Sequence, residues 1–485
     1  MNAIVEEFDR LWRDAPARPL VHLPSSGTTL TTDDLQRNRL EQTAVLERAG
    51  IGGGHVVLSA VGNRPGFLAL LLAAWSLGAV VLPVDEGAAN PEIEGMAERF
   101  GAAAVVRGGA RAGDASQRLD STLTIELRAR EGWQRYPGLA LLKLTSGSSG
   151  SPKGVAVPPS VMAADTAHVI EAMDIRPDDT QIAAIPLSHA YGFGNLVLPL
   201  FVQGTAIVLR EAFVPRAVVA DAHAYRTRIL PGVPFMFQHF AANPPRGGWP
   251  APLTRLISAG AQLAPDVVRA FHDRFGVKVH SFYGTSETGG IAFDHSDVVD
   301  DTASVGWPMP GVTVELRADE DVPEGYGRVL VQGDAVAPGY VGAPADEGPF
   351  GGAFLTGDYG TRLADGRLVL AGRVSSFINV AGRKVQPAEI EGQLRLMEGV
   401  ADARVLPLAD PVRGEQVAAV VAGHATLARG AIRQFCAARL PPHKVPRVIV
   451  VVEALPLNAR GKHDARAMQA LVDAAAGEGA GDAVL

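Results

Sequence analysis

Residues 144–154 read LTSGSSGSPKG and set five hydroxyl side chains, three glycines and one lysine within eleven positions. Small residues leave backbone N–H groups open to a close ligand, hydroxyls add donors, and Lys153 adds a point charge. That combination suits phosphate. A flexible surface loop of the same composition is the alternative. The stretch is not a Walker loop, because the glycine that should partner Gly147 falls at Pro152 and no hydroxyl residue follows Lys153. The β-branched run VAV comes next and reads as a strand, so no helix dipole is on hand. The loop's own amides, its hydroxyls and Lys153 would have to hold the anion.

The elements that must position such a loop are legible as texture. A chain of 485 residues exceeds one compact core and implies two or more domains. Short β-branched runs (HVVLSAV, AAAVVR, TAIVLR, RILPGV, RLISAG) alternate with helical patterns (MAERFG, PDVVRAFHDRFG), as in parallel sheet layered with helices. From Val305 onward, TVELRAD, GRVLVQG and GRLVLAGR are short strands separated by Asp/Gly turns, a β-rich subdomain over about 305–373. After Arg373 the pattern becomes a compact α+β unit. The fold class is therefore α/β: a large N-terminal domain of layered sheets and helices with a small β-rich subdomain, and a small α+β C-terminal domain. The tail from Asp473 is small and polar enough to be disordered.

Composition narrows the functional classes. A formal net charge of −8 gives no footprint for nucleic acid or an anionic membrane. The N-terminal MNAIVEEFDRLW carries early acidic residues and reads as an amphipathic helix rather than an export signal, so a cytoplasmic location is expected. The apolar run from Phe67 is divided by Gly78 and Pro83 and ended by Asp85, which fits a buried helix followed by a buried strand better than a membrane span. The single cysteine, Cys436, excludes a disulfide framework and reads as a packed core thiol.

With the loop in that context, LTSGSSGSPKGVAV resembles the phosphate-loop signature of the adenylate-forming superfamily: acyl-CoA synthetases, adenylation domains and firefly-type luciferases. Further segments resemble that family in the same order. The loop resemblance implies nucleotide contacts from Thr145, Ser146, Gly147, Ser148, Ser149, Gly150 and Lys153. SFYGTSETGG implies Tyr283 and Gly284 at adenine, Ser286 near the α-phosphate and Glu287 on Mg2+. An aromatic face suits a base and a hard oxygen ligand suits Mg2+. ISAGAQL implies a backbone shelf from Gly260, Ala261 and Gln262, with Gln262 departing from the commoner proline. FLTGDYG implies that Asp358 binds the ribose hydroxyls; a carboxylate accepts two donors well.

The junction AGRVSSFINVAGRKVQPAEIE implies Arg373 at the nucleotide, Gly382 on the thiol tunnel and a hinge at 374–376 between domains 1–373 and 377–485. Ser375 stands where the family usually has aspartate or lysine. LPLNARGKHDARAM implies Lys462 as the lysine that touches both carboxylate and phosphate at the reacting centre. PLSHAYGFGN implies His189 beside the acyl carboxylate, although a buried loop histidine is more often structural than catalytic.

A carboxylate is a poor electrophile, so its oxygen must first become a leaving group. The resemblance implies that ATP and Mg2+ supply this by forming an acyl-adenylate, with catalytic roles for Lys462, Glu287 and His189. The mobile small domain then brings a thiol to the adenylate. Coenzyme A is the expected acceptor; loading of a carrier protein by a stand-alone adenylating enzyme is the alternative, and a non-catalytic nucleotide-binding relative is a third. Amino-acid adenylation domains of this superfamily carry an aspartate in this segment to hold the substrate ammonium, and no acidic residue lies between Leu187 and Leu209 here; the resemblance of PLSHAYGFGNLVLPL to the acyl-CoA synthetase branch implies a small-molecule carboxylic acid, fatty or otherwise apolar or aromatic.

Overall fold

The computed structural model describes residues 2–109, 116–146, 152–300, 303–319, 322, 324–342, 349–374, 378–380, 383–385, 387–410, 414–423, 427–457 and 463–477. Its contacts divide the chain into two compact units. The first comprises Met1–Arg317, Val329–Thr356 and Arg362–Val369; the second comprises Ala318–Arg328, Gly357–Thr361 and Leu370–Leu485.

The first unit is built on two sheets. In one, Arg255–Ser258 lies between Ile229–Gly232 and Val279–Thr285, all parallel, and the order continues through Thr180–Ala183, Ala206–Leu209 and Pro19–Leu23. In the other, Val56–Ala60 is parallel to both Val80–Pro83 and Ala102–Gly108. The second sheet ends at the Leu141–Ser146 and Pro152–Val157 hairpin, with Tyr340–Val341 on its edge. The alternation read from β-branched runs is thus realised as parallel strands, and the VAV after Lys153 is indeed strand.

The apolar run from Phe67 forms the helix Pro65–Ser76, in which every residue from Gly66 to Trp75 is buried. Pro65 starts it at a position where a missing N–H costs nothing. Such a helix, apolar on all sides, belongs in a core. The strand Val80–Pro83 follows, buried at each position, and Trp75 Nε1 ties the helix to the Ala140 carbonyl at 2.8 Å. No described helix is long and apolar enough to cross a membrane.

The second unit has its own sheet. Gly414–Gly423 pairs antiparallel with Val400–Asp410 and parallel with Val448–Val452. Helices Pro387–Arg395 and Arg429–Ala437 contribute Ile390, Leu394, Ile432 and Cys436 to its core. Cys436 is wholly buried, and burial pushes its thiol pKa up, as a packing residue requires. The tail differs from expectation: the helix Ala465–Gly477 continues past Asp473, anchored by buried Met468 and Val472. Two apolar side chains one turn apart suffice to hold a segment whose small residues read as disorder. The rest of the tail, 478–485, lies outside the described residues.

Candidate active site

The hairpin that carries the phosphate-loop sequence sets Thr145 opposite Lys153. Its strands run into the sheet through Leu141, Leu142, Val155 and Val157, all buried. Gly147, Ser148, Ser149 and Gly150 lie outside the described residues, as does the side chain of Ser146. Lys153 Nζ sits 5.2 Å from the ring centroid of Tyr340, within reach of a cation–π attraction. The Tyr340 hydroxyl in turn donates to Glu287 Oε1 at 2.7 Å. The lysine and the carboxylate, expected from separate motifs, are therefore joined through one phenol that the sequence reading did not single out.

Glu287 stands in the turn between the antiparallel strands Val279–Thr285 and Gly289–Phe293. Three contacts set that turn. Thr285 and Thr288 share a hydroxyl hydrogen bond of 3.1 Å, the Ala337 amide donates to the Glu287 carbonyl at 2.8 Å, and the Gly290 amide donates to buried Asp165 at 2.9 Å. Asp165 arrives on the helix Pro159–Met173. Position 289 must be glycine: its φ is +66°, and a Cβ would come within 2.2 Å of Asp165 Oδ1. Tyr283, 8% exposed, and Ser286, half-buried, precede Glu287. Gly260, Ala261 and Gln262 form an exposed turn after Arg255–Ser258 that passes through a left-handed Gly260 at φ +83°.

This donor set fits the groups the motifs imply. Tyr340 occupies Oε1 of Glu287, and among the described residues nothing bonds Oε2, so a hard anionic oxygen is available to Mg2+. Thr145 and Lys153 supply a hydroxyl and a charge for phosphate.

His189 precedes a short helical turn, Ala190–Gly192, and a π-helical turn, Phe193–Val197, a local irregularity of the kind found at functional sites. Its Nε2 lies 3.8 Å from Asp85 Oδ2. Asp85, read above only as the end of an apolar run, thus brings a carboxylate to a loop that has no acid of its own. The segment before His189 hangs on Asn63, whose Nδ2 donates to the carbonyls of Ile185 at 2.9 Å and Arg210 at 2.8 Å, and whose Oδ1 accepts the Leu187 amide at 2.8 Å. Beyond His189, the partly buried Tyr191 packs 5.6 Å from Phe282 and donates its hydroxyl to the Ile257 carbonyl at 2.8 Å. Desolvation pushes the Tyr191 pKa up, which keeps that hydroxyl neutral.

In the second unit, buried Asp358 accepts Arg373 Nε at 2.7 Å. Two residues expected from separate motifs again touch, and the exposed guanidinium is aligned by a charge-assisted hydrogen bond. Gly382, Lys462 and the hinge residues Ser375 and Ser376 lie outside the described residues.

With this geometry in view, the comparisons are specific. Residues 8–341 match the AMP-binding enzyme family, and residues 389–462 match the AMP-binding enzyme C-terminal domain. The chain belongs to the AMP-binding enzymes. CoA ligases of this family use ATP, Mg2+ and coenzyme A. The chain is 30% identical over 457 residues to a feruloyl-CoA synthase from Amycolatopsis sp, covering 90% of this chain and 92% of that protein. It is 28% identical over 483 residues to a sulfoacetate–CoA ligase from Cupriavidus necator, covering 92% and 93%. Among solved structures it resembles the amide bond synthetase McbA from Marinactinospora thermotolerans, with a TM-score of 0.77, 26% identity, and coverage of 96% and 99%.

Proposed function

We propose that this enzyme activates an apolar or aromatic carboxylic acid with ATP, forming an acyl-adenylate, and passes the acyl group to the thiol of coenzyme A. The observation that carries the reading is the Lys153–Tyr340–Glu287 connection, which puts a phosphate-binding cation and a metal-binding carboxylate on one wall. Thr145, Lys153 and Ser286 bind and orient the polyphosphate, and Glu287 would hold Mg2+, whose charge offsets that of the phosphates. The carboxylate oxygen attacks the α-phosphorus and pyrophosphate leaves. Orientation of the two reactants is the main service of the protein here. Asp358 binds ribose and aligns Arg373 toward the nucleotide; Lys462 bridges carboxylate and phosphate. The thiol then adds to the acyl carbonyl and AMP departs. Gly382 lines the thiol path, and residues 374–376 are the hinge on which domains 1–373 and 377–485 exchange the two steps.

The acid assignment rests on the acyl wall. Tyr191 spends its hydroxyl on Ile257 and shows its ring beside Phe282, leaving an apolar surface next to His189. Similarity to a feruloyl-CoA synthase supports an aromatic acid; similarity to a sulfoacetate–CoA ligase sets a small polar acid as its competitor. A pyrophosphate-release panel with hydroxycinnamates, fatty acids, sulfoacetate and amino acids, each with and without coenzyme A, tests the reading. Hydroxycinnamates or fatty acids should lead, and release should be followed by acyl-CoA. A lead by sulfoacetate or an amino acid overturns the acid assignment, and acyl-adenylate that accumulates beside unused coenzyme A overturns the acceptor.

A further inference from the structure

Tyr340 lies outside every motif named above, yet it is the residue on which two of them meet. It occupies a strand of only two residues, Tyr340–Val341, paired antiparallel with Pro152–Val157 so that Tyr340 faces Val155 and Val341 faces Gly154. The Gly339 carbonyl accepts the Ala156 amide at 2.9 Å, which extends the same pairing. The strand that bears Lys153 thus fixes the backbone of Tyr340. The ring is fixed separately: Phe350 packs edge-on to it at 5.0 Å and 87°, and Phe354 backs Phe350 at 4.6 Å. A ring held on both counts presents its face to Lys153 and its hydroxyl to Glu287.

Two consequences follow from that placement. A phenol that donates to one carboxylate oxygen removes the rotational freedom of the carboxylate and leaves the other oxygen in a defined direction. Partners of this kind, one step removed from a metal, commonly change metal affinity about 10–100-fold when lost. The aromatic face, for its part, holds the Lys153 ammonium within cation–π range. One side chain thus touches both the cation and the carboxylate that a magnesium–polyphosphate complex would meet.

We propose that Tyr340 is a positioning residue for the nucleotide half-reaction: its hydroxyl aims Glu287 at Mg2+ and its ring stations Lys153 for the phosphates. This rests on the reading of Glu287 as the Mg2+ ligand. The experiment is a Mg2+ titration at fixed ATP, read as ATP-dependent thermal stabilisation of the protein, with pyrophosphate exchange as a second readout. Tyr340→Phe keeps the ring and should raise the Mg2+ midpoint about tenfold, while KM for the acid changes less than about twofold and the melting temperature without nucleotide stays near that of the wild type. Tyr340→His, which retains a ring and an N–H donor, should recover part of the midpoint. A lowered melting temperature with an unmoved midpoint in Tyr340→Phe would mean that the tyrosine only packs, and the proposal fails. If Tyr340→Phe does not fold, a wild-type-like midpoint in Tyr340→His together with a displaced midpoint in Tyr340→Leu supports the proposal, and equal midpoints in both overturn it. Glu287→Gln separates the two levels: if it leaves the midpoint unmoved, the metal-ligand reading itself falls; if it moves the midpoint and Tyr340→Phe does not, only the role of Tyr340 falls.

Discussion

Within the first unit, the proposed nucleotide wall and the proposed acyl wall use their polar atoms in opposite ways. On the proposed nucleotide wall one neighbour positions both charged groups: Tyr340 donates to one oxygen of Glu287, and its ring lies within cation–π range of Lys153. On the acyl wall they are consumed internally: Asn63 spends its whole amide on three backbone groups, and Tyr191 spends its hydroxyl on Ile257. Hydrogen-bonding sites discriminate strongly because a wrong ligand leaves them unpaired, whereas an apolar wall separates ligands that differ by one methylene by only about 1–3 kcal/mol. The contrast implies a strict demand for a magnesium-bound polyphosphate and a graded choice of acid.

The contrast breaks most readily at Asn63. Asn63→Ala strands two carbonyls and one amide in a buried place, each unmet group costing about 1–3 kcal/mol, so a loss of about 3 kcal/mol or more in stability is expected. The released segment is the one that leads into His189, and KM for the acid should rise roughly tenfold, the size of a loss of about 1.4 kcal/mol in binding, while ATP-dependent thermal stabilisation is retained. Equal loss of acid and nucleotide binding would mean that the two walls are a single cooperative element and would remove the contrast.

A smaller effect sharpens it from the nucleotide side. His280 lies on Val279–Thr285, the strand that ends in Tyr283 and Thr285. Desolvation, aided by Arg255, lowers its pKa from 6.5 to about 4, and its Nδ1 faces the Asp294 carbonyl at 2.9 Å. Asp294 and Lys278 pair beside it at 2.8 Å, and Asp297 lies 4.0 Å from its Nε2. A histidine held neutral in the folded state contributes stability above pH 6.5, and that contribution is lost as pH falls toward 4, because the unfolded chain takes up the proton first. Between pH 7 and pH 5 the loss is about 2 kcal/mol. Thermal melts of the wild type should therefore fall more steeply over that interval than those of His280→Gln; parallel pH profiles would refute the assignment.

The same contrast governs what could be read before the structure. Thr145, Lys153, Tyr283, Glu287, Asp358 and Arg373 sit in short local patterns because phosphate and nucleotide chemistry needs several groups close together along the chain. Their joining was not legible: Tyr340 lies in APGYVGAPAD, which reads as a Gly/Pro loop, and its role depends on a two-residue strand pairing found only in three dimensions. Asn63, in VGNRPG, reads as a turn residue, and its partners are more than a hundred residues away in the chain. Asp85 reached His189 by the same long-range route. The parallel sheets were legible because fully buried strands are β-branched runs; the helix Ala465–Gly477 was misread at its end because alanine and glycine carry little periodic signal.

The smallest expected effect is at Tyr191, and it tests whether the acyl wall is truly closed to polar recognition. Tyr191→Phe removes only the hydroxyl, leaving the Ile257 carbonyl without that donor at a cost of about 1 kcal/mol. The ring still faces Phe282, so the apolar surface shown to the acid is unchanged. If the hydroxyl is spent internally, the ratio of kcat/KM for a hydroxylated cinnamate over cinnamate itself should move by less than about threefold, which is under 0.7 kcal/mol of discrimination. The upward shift of the Tyr191 pKa adds a second expectation: the ratio should not change between about pH 6 and pH 7.5, where neither this group nor the substrate's own phenol titrates. A collapse of activity on the hydroxylated acid alone, with cinnamate untouched, would show that the phenol reaches the substrate, and the acyl wall would then work by the same rule as the nucleotide wall.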